Sequence, residues 1–384
     1  MGGSPCSCPG CGFEVFGTPS RFHPYVCDAC GHAWIVPFDT GDMRFDALLA
    51  TTPVFNVFKT YSSKHKLFLR TVVLCEDAPD VEWGRDIVAE QAELLAGLRH
   101  HNVCPLFEYG EVDGAFTAST PLLDGYPLSS YDPGKHGLLN VNKIVEVMQA
   151  AALGLAVAHY KDIVHHDICP ENVHVDARGT VRVKEFLVSR FVYFFDQRRE
   201  KSPDGRIRIS VSPYFVSPER AESGLEDHRG DVFSFGVMFY YLLTGVYPFD
   251  CETNTRTIRA RIKPAVRKKK EEKKRVEEIF HAGGIPTTVA TDDDPVHEYL
   301  PPVPPRERRV GVPKALSDVV LSMLSYYPND RPTFSELIHC LNLLRAKTDV
   351  LKIRKTQEEI VDSETKDIPR MEALSKFKKN LEDA

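Results

Sequence analysis

His165-His166-Asp167-Ile168-Cys169-Pro170-Glu171-Asn172 follows an apolar, helix-patterned run from Val145 to His159. Asp167 and Asn172 stand five positions apart on what reads as one short loop. In such a loop the carboxylate can orient a hydroxyl nucleophile while the amide oxygen holds a metal ion, the two tasks of a phosphoryl-transfer loop.

The rest of the chain is large enough to carry such a loop on a proper core. It has 384 residues, 42% hydrophobic and 27% charged, which suits one large domain or two smaller ones. A formal charge of -6 gives no global pull towards nucleic acid or anionic membrane, so any such contact must come from a local patch. No run reads as the eighteen or so apolar residues of a membrane span, and the N-terminus lacks a basic-then-apolar signal segment. The expectation is a cytoplasmic protein with no membrane contact.

Five of the ten cysteines fall in the first thirty residues. Cys8-Pro-Gly-Cys11 and Cys27-Asp-Ala-Cys30 form two C-x2-C knuckles. Each knuckle wraps two thiolates around one cation, and tetrahedral zinc takes four such ligands at about 2.3 Å. Gly12 and Gly31 follow the second cysteine of each pair and permit the positive φ that tightens the turn. The pattern resembles a zinc ribbon, so residues 1–36 are expected to hold a structural Zn2+ on Cys8, Cys11, Cys27 and Cys30. Cys6, His23 and His32 are the rival ligands. Disulfides would need a secretory context that the N-terminus does not suggest.

Residues 37–44 mix Pro, Gly and Asp and read as a linker. Beyond them, Lys66–Leu74 reads as a strand and Asp86–Leu98 as an amphipathic helix. From residue 45 to 346 the ordered landmarks resemble the eukaryotic-type protein kinase family. Its catalytic loop reads H-R-D-L-K-P-E-N where this chain has residues 165–172. Ser217-Pro218-Glu219 resembles A-P-E, Asp231-Val-Phe-Ser-Phe-Gly236 resembles D-x-W-S-x-G, and Asp330-Arg331-Pro332 matches the last landmark. The resemblance implies an α+β, bilobal kinase-like fold, with a β-rich N-lobe over 45–120 and a helical C-lobe over 121–346. It also implies that Asp231 braces the catalytic loop and that Arg331 pairs with Glu219.

The same register exposes the departures. Where the family has a glycine-rich phosphate loop, Thr51 to Lys64 contains no glycine, and Phe55 and Phe58 would fill space meant for phosphate oxygens. Arg70 stands for the phosphate-binding Lys, Gln91 for its helical Glu partner, and Glu185-Phe186-Leu187 for Asp-Phe-Gly. An Arg fork does not fit a point-charge role, and the longer Glu displaces a carboxylate from a metal that demands octahedral geometry. Cys169 withdraws a positive charge from the transferring phosphoryl group, and His166 replaces the Arg that reads a phosphorylated activation segment. Any ATP and Mg2+ would therefore rest on Arg70, Gln91, Asn172 and Glu185, with Asp167 and Asn172 as the catalytic pair.

Two segments fall outside the resemblance: a charged insertion at about 261–310, rich in Lys, Arg and Glu, and a charged helical tail over 347–384. The resulting expectation is a pseudokinase, a signalling scaffold or switch bound to a protein partner. One alternative is a divergent but active serine/threonine kinase. Another is a zinc-ribbon adaptor that binds protein, or nucleic acid through the ribbon or the basic insertion.

Overall fold

The computed structural model describes residues 6–15, 21–52, 54–76, 81–198, 210–249, 265–266, 297–298 and 302–345. Two tiny hairpins open it: β1 (Cys6–Ser7) with β2 (Glu14–Val15), and β3 (Tyr25–Val26) with β4 (Ala33–Trp34). An antiparallel six-stranded sheet follows. Its strands are β5 (Phe38–Thr40), β6 (Met43–Thr51), β7 (Phe55–Ser62), β8 (Leu67–Leu74), β9 (Glu108–Val112) and β10 (Ala115–Pro121), in spatial order β5-β6-β7-β8-β10-β9. One face buries Phe45, Phe58, Leu69 and Val73; the other faces helix α1 (Val81–Ala96) and the cleft.

The linker expected over 37–44 is instead the outer hairpin of this sheet. Phe38 pairs with Phe45 across β5 and β6, their rings stacked at 4.8 Å. Burial of those two rings outweighs the loop-like composition around them.

Below the sheet lies the helical lobe, which opens with the one-turn helix α2 (Pro133–His136). Helix α3 (Val141–Tyr160) starts where the Asn140 side chain accepts from the backbone N–H of Asn142, a cap that satisfies one of the free first-turn donors. By length and apolar composition α3 is the one helix among the described residues able to cross a membrane, contrary to the expectation of no such run. More than half of that segment is buried within the lobe. A small sheet of β11 (Tyr126–Pro127), β12 (Val173–Val175) and β13 (Val181–Val183) frames the loop over 161–172. Helices α4 (Phe186–Arg198), α5 (Pro218–Ser223) and α6 (His228–Thr244) complete the centre, and α6 buries Phe233, Phe235, Phe239 and Tyr240. A helix over 334–345 closes the described chain.

Most of the 261–310 insertion and all of the 347–384 tail lie outside the described residues. The insertion's last part is built into the C-lobe: Tyr240 Oη donates to the Val303 carbonyl at 2.7 Å, and Arg309 donates to the carbonyls of Leu243 and Leu139.

Candidate functional site

Loop 161–172 leaves the end of α3 and is held from beneath by Asp231. The backbone N–H groups of His165 and His166 donate to its two carboxylate oxygens at 2.7 and 2.8 Å, and His159 Nε2 lies 2.8 Å from Oδ2. Burial pushes the Asp231 carboxyl up. The His159 hydrogen bond and the neighbouring histidines outweigh that and hold it well below the usual carboxylate range. His165 is a core histidine: its Nε2 donates to the Lys184 carbonyl at 2.8 Å, its Nδ1 accepts from Asp167 N at 3.2 Å, and burial depresses its basicity.

Asp167 and Asn172 come together as their spacing suggests. Asn172 Nδ2 donates to the Asp167 carbonyl at 2.8 Å and to its Oδ2 at 3.0 Å. Burial pushes the Asp167 carboxyl up to about 6, against the opposing pull of Arg220 and of the Asn172 hydrogen bond. Cys169, where the family has a cation, is a buried thiol pushed up to about 12, so it is neutral at physiological pH.

The raised Asp167 value has a measurable consequence. The folded chain holds this proton more tightly than the unfolded chain, so stability falls as pH rises between about 4 and about 6 and stays lower above that. Asp167→Asn is expected to unfold several degrees higher than the parent at pH 7.5, a gain of at most about 3 kcal/mol, and to match it near pH 4. Equal melting curves at both pH values would place the carboxyl at its ordinary value.

The nucleotide side is arranged differently from the family pattern. Arg70 on β8 points across the cleft to Glu185, Nη2 to Oε2 at 3.0 Å, and Lys184 Nζ lies 3.7 Å from the other oxygen. Gln91, in place of the helical Glu, is buried on α1 and accepts from Arg190 Nε, while Glu90 faces solvent. Arg190 also donates to the Val164 carbonyl at 2.7 Å. Glu185 adopts φ +70°, and with Leu187 in place of glycine the chain enters α4 at once, the Ser189 N–H bonding back to Glu185. Phe55 packs edge-on against Phe191 of α4 at 4.8 Å, and Phe58 points to the opposite face into the sheet core. Only Phe55 therefore lies on the cleft side, which corrects the expectation for Phe58. The cavity behind Arg70 and Glu185, lined among others by Val72, Cys104, Ala118 and Phe186, measures about 30 Å³. That is room for about two waters, against roughly 300–1,000 Å³ for small-molecule pockets.

Helix α4 and its Arg190 and Phe191 were missed from sequence. The signal was present as apolar residues at helical spacing, Leu187, Phe191 and Phe194-Phe195, directly after the Glu-Phe-Leu triplet.

The four knuckle cysteines converge at the other end of the molecule, their sulfurs all within 4.8 Å of one another. Cys8 and Cys30 Sγ are 3.7 Å apart, and Cys11 and Cys27 Sγ 3.6 Å apart. Four sulfurs at about 2.3 Å from a tetrahedral centre lie about 3.8 Å from each other, so the cluster has the size of a metal cage. Gly12 and Gly31 adopt φ +77° and +71°. Each donates its N–H to the carbonyl of the first cysteine in its knuckle. His32 stacks on Trp34, and neither it nor His23 joins the cluster; Cys6 lies in β1, its side chain outside the described residues.

A twisted β-lobe over a helical lobe, with a loop at the junction that presents Asp167 and Asn172 on an Asp231 brace, defines the bilobal phosphotransferase class of fold. Residues 56–341 match the protein kinase domain, and the chain belongs to that family. Similar proteins include the serine/threonine-protein kinase PrkC of Bacillus subtilis (strain 168), 28% identical over 163 residues, covering 42% of this chain and 24% of that one. Serine/threonine-protein kinase pkn3 of Myxococcus xanthus is 25% identical over 253 residues, covering 64% and 39%. Tyrosine-protein kinase MasK of Myxococcus xanthus (strain DK1622) is 24% identical over 278 residues, covering 69% and 36%. The chain thus spans well under half the length of these relatives.

Proposed function

We propose that this chain is a pseudokinase, a kinase-fold scaffold or switch with little or no phosphotransfer, acting through a protein partner. The observation that carries the reading is the Arg70–Glu185 ion pair at 3.0 Å. These are the two side chains that would meet phosphate and metal, and each is neutralised by the other. Binding Mg2+-ATP would have to break this pair, 23% exposed at Arg70 and 11% at Glu185, before either side chain could meet phosphate or metal. Gln91 held by Arg190, Phe55 against Phe191 and the neutral Cys169 thiol add to the same reading.

The test is thermal unfolding with ATP titrated in, with and without Mg2+. A ligand at a hundred times its dissociation constant stabilises a fold by about 2.7 kcal/mol. The expected result is no shift up to millimolar ATP. A Mg2+-dependent shift would favour the second reading, a divergent serine/threonine kinase with Asp167 as base, Asn172 and Glu185 on metal and Arg70 on phosphate. The intact Asn172–Asp167 contact and the raised Asp167 carboxyl support that alternative. In that case Asp167→Asn abolishes phosphotransfer.

For the cysteine cluster we read a structural Zn2+, since four thiolates in tetrahedral array select this ion over harder cations. Metal analysis should return about one equivalent of zinc per chain, lost in Cys8→Ser or Cys27→Ser. A folded chain free of metal would refute it. In the adaptor alternative, it is the ribbon that carries the partner or nucleic-acid contact.

A further inference from the structure

Among the described residues, the ribbon enters the N-lobe core through Phe22, with Ile35 partly buried beside it. Phe22, in the segment between the two knuckles, is 5% exposed and belongs to the same cluster as Met43, Phe45, Phe58 and Leu69. Its ring meets Phe45 at 5.2 Å and Phe38 at 5.5 Å, both edge-on. Its φ is +69°, a left-handed conformation that a bulky aromatic holds only where its surroundings enforce it. The Phe22 carbonyl accepts from Asn56 Nδ2 at 3.0 Å, and Asn56 Oδ1 accepts from Thr51 Oγ1 at 2.7 Å. Asn56 is buried and sits on β7 in the hairpin that covers the cleft, next to Phe55.

Successive strand residues face opposite sides of a sheet. Asn56 therefore reaches up into the ribbon while Phe55 reaches down onto Phe191 of α4. Arg21 adds a second tie, an ion pair with Asp113, which also accepts from Thr40 at the outer hairpin.

We infer that the four-cysteine module is a metal-dependent clamp on the β6–β7 hairpin over the cleft, with Phe22 and Asn56 as the positioning residues that carry metal occupancy to it. The inference rests on the metal reading above. The ribbon's strands are two residues each, too short to hold their shape without the metal. Once the metal leaves, the inter-knuckle segment no longer holds Phe22 in its left-handed conformation. Asn56 then loses its carbonyl partner and the hairpin loses its upper anchor. The cleft is thereby exposed to any condition that strips the metal from the four thiolates.

Hydrogen exchange on the full chain tests this, comparing protein as purified with protein stripped by a chelator. Amides of residues 55–62 are expected to exchange at least about tenfold faster in the stripped protein, while those of α6 keep their protection. Asn56→Leu, which leaves every cysteine in place, should keep its metal and show the same acceleration at 55–62. Unchanged exchange at 55–62 on stripping would overturn the clamp. So would equal acceleration of α6, which reports global unfolding, or an Asn56→Leu hairpin as protected as the parent's. Failure of the underlying metal reading shows separately, as purified chain that contains no metal.

Discussion

Asp231→Ala is expected to lower stability by about 3–5 kcal/mol, on the order of 10 °C in Tm, because three donors lose their acceptor at once. The N–H groups of His165 and His166 and the His159 ring all point at this carboxylate, which is 1% exposed. An unsatisfied buried donor costs about 1–3 kcal/mol. The acid limb follows from the depressed carboxyl. Its stabilisation is complete above the unfolded value of about 3.9 and is lost as pH falls below it towards the folded value. Parent and variant should therefore differ most at neutral pH and converge in strong acid. Urea unfolding at pH 7 measures the difference. A loss under about 1 kcal/mol would mean that the loop is held by its own turns and by the Asn172 bonds instead.

Contacts such as these were legible in the sequence because each depends on one residue identity at one landmark. The Asp231 brace, the Glu219–Arg331 pair and the two glycine-closed knuckles all form as their motifs imply. Regular elements were legible to within a few residues. The strand read over Lys66–Leu74 is β8, and the helix read over Asp86–Leu98 begins earlier, at Val81. Its first turn was hidden by Gly84, a poor helix former.

Relations between departures were not legible. Arg70 and Glu185 are each an oddity along the chain, and only the fold places them 3.0 Å apart. The same holds for Gln91 and Arg190, 99 positions apart. Phe22 carries no periodic signal beside a stretch of Thr, Pro and Ser, so its place in the N-lobe core was hidden. The pattern that results is uneven. Groups that brace the C-lobe keep their family identity, whereas groups that would face a nucleotide have exchanged their partners for one another.

That unevenness yields the second large effect. Arg331→Ala should cost about 3–5 kcal/mol, whereas Arg70→Ala should cost about 1 kcal/mol. All five guanidinium N–H groups of Arg331 are engaged. Nη1 and Nη2 bind the two Glu219 oxygens at 2.7 and 2.8 Å, and the other three donors reach the carbonyls of Ser325, Tyr326 and Arg229. The side chain is fully buried and lies over the Phe233 ring, so its removal takes a donor from three carbonyls and a carboxylate and opens a cavity beside α6. Arg70 has one carboxylate partner and is 23% exposed, so water replaces much of what it loses. A double-mutant cycle with Glu219→Gln should return at least about 2 kcal/mol of coupling for the Arg331 pair. Equal costs for the two arginines would place the Arg70–Glu185 pair among the braces of the fold.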